Sequence, residues 1–307
     1  MIYRVRHLTR YAYGSPVDLA AHIVHVTPRD LPGQAVRWTR LEVTPSPVRR
    51  VDGTDYFGNL IAWLYHEAPH RSFAVLAESE VEVAFAPPPP EETSLAWEDL
   101  VALARAGGAP AWQAAEFLFD SPMCAANAAA GDYAALSFTP GRSILAALLD
   151  LNTRIYTDFR FRAGVTTLST PVEQVLARRE GVCQDFTHLM ISALRWIGVP
   201  ARYMSGYIRT RPPPGQARRL GSDQSHAWVG AWLGPAHGWI GLDPTNGIVM
   251  RDEHVVLGWG RDYADISPVH GLILGGGNDE LTVGVDLVPA EEWEDVPPEP
   301  TDPTDLA

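Results

Sequence analysis

The sequence predicts an α+β protein, in which an N-terminal β-sandwich is followed by a second unit of mixed helices and strands. Residues 2–85 consist of short strand-like runs separated by turn-forming residues. Residues 93–155 are rich in alanine and leucine, and residues 170–243 read as two helices followed by three strands. A length of 307 residues is enough for about two domains of this kind.

This pattern divides the chain into four parts. We expect a β-sandwich over residues 1–86, a helical connection over 87–140 and an α+β core over 141–290. Residues 291–307 are acidic and rich in proline, so we expect a disordered tail. The clearest strand of the first part is its last one, where glutamates at 78, 80 and 82 alternate with smaller or apolar residues.

The helices of the connection and of the core follow from periodicity and from capping residues. Helical patterns cover residues 94–106, 110–119 and 143–156. Thr170, Pro171 and Glu173 have the spacing of a capping box, which predicts a short helix to about Arg179 that Gly181 ends.

The second helix of the core begins at about Cys183 and ends at Gly198 and Pro200. Its apolar residues recur at helical spacing and define one buried face: Phe186, Leu189, Met190, Ala193, Leu194 and Ile197.

Three strands are predicted after this helix, over residues 202–208, 225–233 and 239–243, with a polar loop at 211–222. If the last two form a hairpin across residues 234–237, paired residue numbers sum to about 471. Trp228 then lies opposite Asp243, and His226 shares a face with Asp243 on the diagonal. The hairpin therefore predicts a hydrogen bond between His226 and Asp243.

Composition and charge exclude several classes of protein. The net charge is −13, every one of the 24 basic residues is arginine, and the acidic excess follows Arg261, so we expect no nucleic-acid partner. The absence of lysine excludes Schiff-base and P-loop chemistry. No apolar run approaches the roughly 20 residues of a membrane helix, and no leader pattern is seen, so we expect a cytoplasmic protein without a membrane partner.

The two cysteines, Cys124 and Cys183, are too few for a disulfide framework and have different sequence environments. Cys183 falls at the predicted start of a helix, where free backbone N–H groups and the helix dipole favour a thiolate. A histidine held by a carboxylate and placed beside such a cysteine would complete a nucleophilic site. Cys124 lies in an alanine-rich helical context and is expected to be an inert buried thiol.

Three sequence blocks resemble the transglutaminase-like superfamily of papain-type cysteine enzymes. They are residues 179–186 around Cys183, residues 225–229 around His226 and residues 241–246 around Asp243. Residues 3–29 are similar to the start of the β domain that precedes this core in the bacterial branch. The resemblance implies a papain-like core in which Cys183 is the nucleophile, His226 the general base and acid, and Asp243 the orienting carboxylate.

The reaction that the resemblance implies is acyl transfer from an amide of a peptide or protein substrate through a Cys183 thioester. An amine acceptor would make the protein a transglutaminase, whereas water would make it a protease or amidase. A protein-binding scaffold without activity is the alternative of a different class. We predict no cofactor and no metal, and we assign Asp185 to the helix dipole and His188 to no function. The backbone N–H of Cys183 is the predicted first oxyanion donor, and the second donor stays unassigned.

Overall fold

A computed structural model describes residues 1–109, 111–210 and 225–295. The predicted polar loop at 211–222 and the acidic tail beyond residue 295 lie outside the described residues. The chain begins with five strands: β1 (Ile2–Val24), β2 (Gln34–Thr44), β3 (Arg49–Thr54), β4 (Leu60–His66) and β5 (His70–Val83). The predicted alternation in β5 is confirmed, because Ser79, Val81 and Val83 are buried while Glu82 is exposed.

Four helices follow: α1 (Trp97–Ala106), α2 (Trp112–Ala115), α3 (Ala128–Ala135) and α4 (Ile144–Asp158). The helices predicted over 94–106 and 110–119 have shorter bounds in the structure, the one predicted over 143–156 ends two residues later, and α3 was not predicted. The hydroxyl of Ser143 caps α4 by accepting the N–H of Ala146. Within the described residues, none of the helices combines the length and apolar character needed to cross a bilayer.

The core then runs through β6 (Arg160–Phe161), α5 (Val172–Arg178), β7 (Glu180–Gly181) and α6 (Cys183–Ile197). The capping box predicted for α5 is wrong, because the Thr170 hydroxyl accepts the N–H of Thr167 instead. Arg179 in the left-handed conformation ends α5, and Gly181 belongs to the strand that pairs with β6. The bounds of α6, including Gly198 as its left-handed cap, are confirmed.

The remaining elements are β8 (Ala201–Ile208), β9 (Ser225–Trp232), β10 (Trp239–Asp243), β11 (Ile248–Val249), β12 (His254–Gly260), α7 (Tyr263–Ile266), β13 (Val269–Gly275) and β14 (Asp279–Pro289). Strands β8 to β12 form an antiparallel sheet in the order β11-β10-β9-β8-β12. Helix α6 packs on β8 and β9 with its predicted apolar face in the core. The α+β core is thus built around the helix that carries Cys183.

The N-terminal sheet differs from the predicted sandwich in two respects. Its seven strands form one curled sheet, in which five strands follow the order β2-β5-β1-β4-β3 and β13 and β14 also pair with β1. Residues 3–12 of β1 pair with both β5 and β14, and residues 20–24 pair with both β4 and β13. The sheet folds back on itself: Phe73 lies opposite Tyr11, yet its ring stacks on that of His22 at 4.1 Å between centroids. Residues 269–289, which the sequence pattern groups with the core, therefore complete the N-terminal sheet.

The start of the predicted tail is ordered against this sheet. Residues 290–295 form a 3-10 helix, Glu292 pairs with Arg209 at 3.1 Å, and the ring of Trp293 lies beside the guanidinium of Arg6. An apolar layer joins the two units, with Tyr3 and Leu287 from the N-terminal sheet packed with Tyr207 from β8 and other residues. This layer fixes the N-terminal sheet against the edge of the core.

Candidate active site

The first residue of α6 is Cys183, and the side chain of Asp185 fixes where that helix begins. Asp185 Oδ2 accepts the backbone N–H of Val182 at 2.7 Å and the hydroxyl of Thr166 at 2.7 Å. A Cβ at Gly181 would lie 2.9 Å from Asp185 Cβ, so the approach to the helix requires glycine. Asp185 thus acts at the helix start, where its charge also complements the dipole as predicted. The N–H groups of the first turn remain available beside the Cys183 thiol.

The predicted hairpin register is confirmed in the structure. Trp239 pairs with Trp232 and Leu242 with Val229, which are the pairs that a sum of 471 requires. His226 Nε2 donates to Asp243 Oδ2 at 2.7 Å, so the diagonal contact predicted from the hairpin is present. Both side chains are buried.

Asp243 is held as a charged carboxylate by more donors than His226 alone. Its Oδ1 accepts the N–H groups of Thr245 (3.0 Å) and Asn246 (3.2 Å). Its Oδ2 also accepts Asn246 Nδ2 at 2.7 Å and His254 Nε2 at 3.3 Å. Burial alone would raise the pKa of Asp243, but these hydrogen bonds and the charge of His226 outweigh it and lower the pKa.

The pKa of His226 is shifted in the direction that lets the ring hold a proton beside a thiolate. Burial lowers the pKa of His226, but hydrogen bonds and charge interactions with Asp243 and Cys183 outweigh burial and raise it to about 10. The ring also stacks on Trp228, with 5.9 Å between centroids. Because Nε2 is engaged by Asp243, Nδ1 is the ring nitrogen left for the Cys183 thiol.

Cys183 and His226 face a common cleft of about 410 Å³ between the two units. The core wall also includes Phe161, Gln184 and Tyr203, and the N-terminal sheet supplies the other wall: His7, Thr9, Tyr11, Leu281 and Val283. Among the described residues, the lining of this cleft includes no Asp, Glu or Arg. This described lining is therefore uncharged apart from Cys183 and the histidines.

His7 joins the two walls. Its Nδ1 lies 2.7 Å from the Tyr207 hydroxyl of β8, and its Nε2 lies 3.0 Å from the Thr9 hydroxyl. Burial lowers the pKa of His7 to about 4, so the ring is neutral at pH 7. The N-terminal sheet is thus fixed to the core directly behind the cleft.

Sequence reasoning did not assign a role to Asn246 or His254. Asn246 lies in the turn after Asp243 and donates to its carboxylate. The sequence signal for this contact is a polar residue three positions after an aspartate in a turn. His254 comes from β12, across the sheet, and no local pattern links it to Asp243. His226, Asp243 and His254 also form a buried group whose donor atoms lie within 4.8 Å of one another, a spacing that could hold a metal ion.

Cys124 has the opposite environment from Cys183. Its Sγ lies 3.3 Å from the Ser192 hydroxyl and 3.4 Å from the carbonyl oxygen of His188. Burial is the largest influence on this thiol and raises its pKa to about 11. The expectation of an inert buried thiol agrees with these contacts.

Comparison with known proteins places this geometry in a family. Residues 3–82 match the bacterial transglutaminase-like N-terminal region, and residues 139–244 match the transglutaminase-like superfamily core. The chain therefore belongs to the transglutaminase-like superfamily, in the branch that carries this N-terminal region.

Relatives extend the match over nearly the whole chain. An uncharacterized protein of Mycobacterium tuberculosis (strain H37Rv) is 41% identical over 298 residues, which cover 94% of this chain and 93% of the relative. A protein-glutamine gamma-glutamyltransferase of Pseudomonas aeruginosa is 37% identical over 68 residues, covering 22% of this chain and 10% of that protein. The crystal structure of a "Putative Cysteine Protease" from Cytophaga hutchinsonii has a TM-score of 0.73 at 23% identity, covering 94% and 91% of the two chains, which shows a shared fold.

Proposed function

We propose that this protein is a cysteine-dependent acyl transferase that acts on amide groups of peptide or protein substrates through a thioester at Cys183. The observation that carries the proposal is His226, which hydrogen-bonds the buried Asp243 at 2.7 Å and faces the same cleft as Cys183. This is the arrangement that activates a thiol and later protonates a leaving amine.

The reaction follows from these positions. His226 Nδ1 takes the thiol proton, and the Cys183 sulfur attacks the amide carbonyl carbon. Backbone N–H groups at the start of α6 stabilise the oxyanion that forms. The C–N bond then breaks as the His226 imidazolium transfers its proton to the leaving nitrogen, which leaves a thioester and releases an amine or ammonia.

The second half of the reaction depends on the acceptor. A primary amine that attacks the thioester forms a new amide, whereas water forms a carboxylic acid, and both restore the Cys183 thiol. The described part of the cleft lining has no Asp, Glu or Arg, which favours a neutral donor such as a glutamine amide. The name of the Pseudomonas aeruginosa relative supports transfer to an amine. The name of the Cytophaga hutchinsonii protein favours hydrolysis as the second candidate.

Incubation with a glutamine-containing peptide library, with and without a primary amine, tests the proposal by mass spectrometry. Amine adducts on glutamine would establish transfer, and cleavage or deamidation would establish hydrolysis. Cys183→Ala should abolish both products and the trapped thioester, whereas Cys124→Ser serves as the matched control. A folded protein with unmodified Cys183 that gives neither product nor thioester would contradict the proposal and favour the scaffold alternative.

A further inference from the structure

At Leu281 and Val283, the outer edge of β14 is paired with no strand of the described residues, and it borders the cleft that contains Cys183. We propose that an extended segment of the acyl-donor polypeptide binds there as an additional β-strand, with its alternate side chains directed into the cleft. The proposal rests on the proposed function in one respect, that the bound segment is the acyl donor. It adds the class of substrate: an extended, uncharged polypeptide segment rather than a folded surface.

Backbone hydrogen bonds in the sheet show which groups of β14 face outward. Gly14 N–H donates to the carbonyl of Asn278 at 2.7 Å, and this pair continues the β1–β14 register. Because antiparallel ladders alternate between bonded and non-bonded pairs, residues 280 and 282 bond to β1. The N–H and C=O groups of Leu281 and Val283 therefore point away from β1.

The other edge of β1 gives the same alternation independently. Val83 N–H donates to the carbonyl of Met1 at 2.8 Å, in register with the β1–β5 pairs. Odd-numbered residues of β1 from Tyr3 to Tyr11 thus bond to β5, and the even-numbered ones are left to bond to β14. Within residues 1–109, 111–210 and 225–295, no strand pairs with the outward side of β14.

The side chains of the same two residues face the catalytic groups. Leu281 lies opposite Tyr11 and Val283 opposite Thr9, and all four line the cleft with Cys183. Leu281 and Val283 are nevertheless 52% and 46% exposed. One short stretch of β14 therefore combines unpaired backbone groups with exposed apolar side chains at the cleft.

A polypeptide strand is the occupant that satisfies both features. Its backbone would bond to the outward groups of Leu281 and Val283, and its residues directly opposite them would share their face of the sheet. Those side chains would then point into the cleft that contains Cys183, with apolar contacts to β14. Because the lining within the described residues includes no Asp, Glu or Arg, the segment should carry an amide among uncharged residues.

Backbone N-methylation of the peptide tests this mode of binding without altering the protein. Fluorescein-labelled ten-residue peptides with a central glutamine and apolar neighbours are titrated into Cys183→Ala protein by fluorescence polarisation. A series of peptides, each N-methylated at one position, should lose affinity at alternate positions only. The expected loss is at least about tenfold, because each such methyl group removes one edge hydrogen bond and blocks close approach.

Two protein variants supply the matched comparison. Leu281→Asp should weaken peptide binding at least about tenfold, since it places a charge among apolar side chains of the cleft wall. Leu272→Asp should change binding less than about twofold, because Leu272 lies on β13, is 81% exposed and does not line the cleft. Circular dichroism of both variants verifies that the sheet is intact.

Several outcomes would overturn the inference. These are equal sensitivity to N-methylation at every position, no sensitivity at any position, and equal effects of the two aspartate variants. A concentration-dependent dimer that Leu281→Asp dissociates and that excludes the peptide would assign the edge to a second copy instead. These failures differ from failure of the proposed function, in which peptide binding is retained but the wild-type protein forms no acyl-enzyme.

Discussion

Two buried histidine clusters in this protein have opposite electrostatic character. In the core, His226 lies beside Asp243, and its pKa is raised to about 10. In the N-terminal sheet, His22 stacks on Phe73, lies 6.0 Å from the His66 ring, and has its pKa lowered to about 4. Burial lowers the pKa in both places, and the neighbouring His66 lowers that of His22 further.

The difference shows that the counter-charge, and not burial, decides what a buried histidine can do. Asp243 gives His226 a partner that stabilises its protonated form, so the ring can hold a proton beside a thiolate. Among the described residues, no carboxylate contributes to the pKa of His22, so that ring stays neutral and serves as a packing group. The contributions of the two histidines to stability therefore change in opposite directions with pH. That of His226 is complete below about pH 6.5 and is lost as the pH rises to about 10, whereas that of His22 is complete above about pH 6.5 and is lost as the pH falls to about 4.

Removal of the Asp243 carboxylate should make the histidine cluster of the core resemble that of the N-terminal sheet. In Asp243→Asn, burial persists while the carboxylate charge is lost and only the interactions with Cys183 still oppose burial, so the pKa of His226 should fall below its value of about 10. Acylation should slow by about 10⁴-fold, because His226 loses both its orientation and its charged partner. Stopped-flow acylation with a glutamine peptide and NMR titration of His226 measure the two effects.

Asp286→Asn is the control for this variant. Asp286 is also a buried aspartate, 3.7 Å from Arg6, but it does not line the cleft. The acylation rate of the Asp286→Asn protein should stay within about threefold of the wild-type rate. An Asp243→Asn protein that acylates within tenfold of wild type would contradict the role assigned to the carboxylate.

The same rule applies to the two thiols. Cys124 is 1% exposed, and burial raises its pKa to about 11, so its thiolate fraction at pH 7 is more than about 100-fold below that of an ordinary thiol. Cys183 is partly exposed in the cleft beside His226. Iodoacetamide at pH 7 should therefore alkylate Cys183 at least about 100-fold faster, as read by peptide mapping. Comparable labelling of the two cysteines in the folded protein would refute this contrast.

Three buried, neutral histidines predict how the free energy of unfolding depends on pH. His7, His22 and His188 have pKa values lowered to about 4, mainly by burial, against about 6.5 in the unfolded chain. The unfolded state binds more protons between these values, so stability falls as the pH falls through this window. Each histidine should contribute a loss of about 2 kcal/mol between pH 7.5 and pH 5.

His22→Gln isolates one of these contributions. The variant removes the titrating ring, so its free energy of unfolding should fall by about 2 kcal/mol less than that of wild type between pH 7.5 and pH 5. Urea unfolding at each pH gives the change in the free energy of unfolding with pH for the wild type and for the variant. The comparison of these two slopes does not depend on the absolute stability of the variant. Parallel slopes would show that His22 titrates normally in the folded protein.

The local parts of the candidate site were predictable from the sequence, because short-range rules fix them. Helix α6 follows from apolar spacing and from Gly198, and the hairpin register follows from the position of its turn, which brings His226 to Asp243. The N-terminal wall was not predictable, because β14 reaches β1 across more than 250 residues of chain. The failed capping box of α5 has a similar cause, since Glu173 bonds the side chain of Asn127 from α3's N-cap instead.

The contribution of His254 is the smallest effect that the comparison predicts. Besides its contacts with the two histidines, Asp243 accepts three hydrogen bonds from Thr245 and Asn246. Loss of His254 therefore weakens the positioning of the Asp243 carboxylate but does not abolish it. His254→Phe should therefore slow acylation only about tenfold, equivalent to about 1.4 kcal/mol. KM should be unchanged, because His254 does not line the cleft. His254→Gln, which retains a donor, should recover most of the rate. A Gln variant as slow as the Phe variant would mean that His254 acts through packing against Trp228, at 5.2 Å between ring centroids, and not through its bond to Asp243.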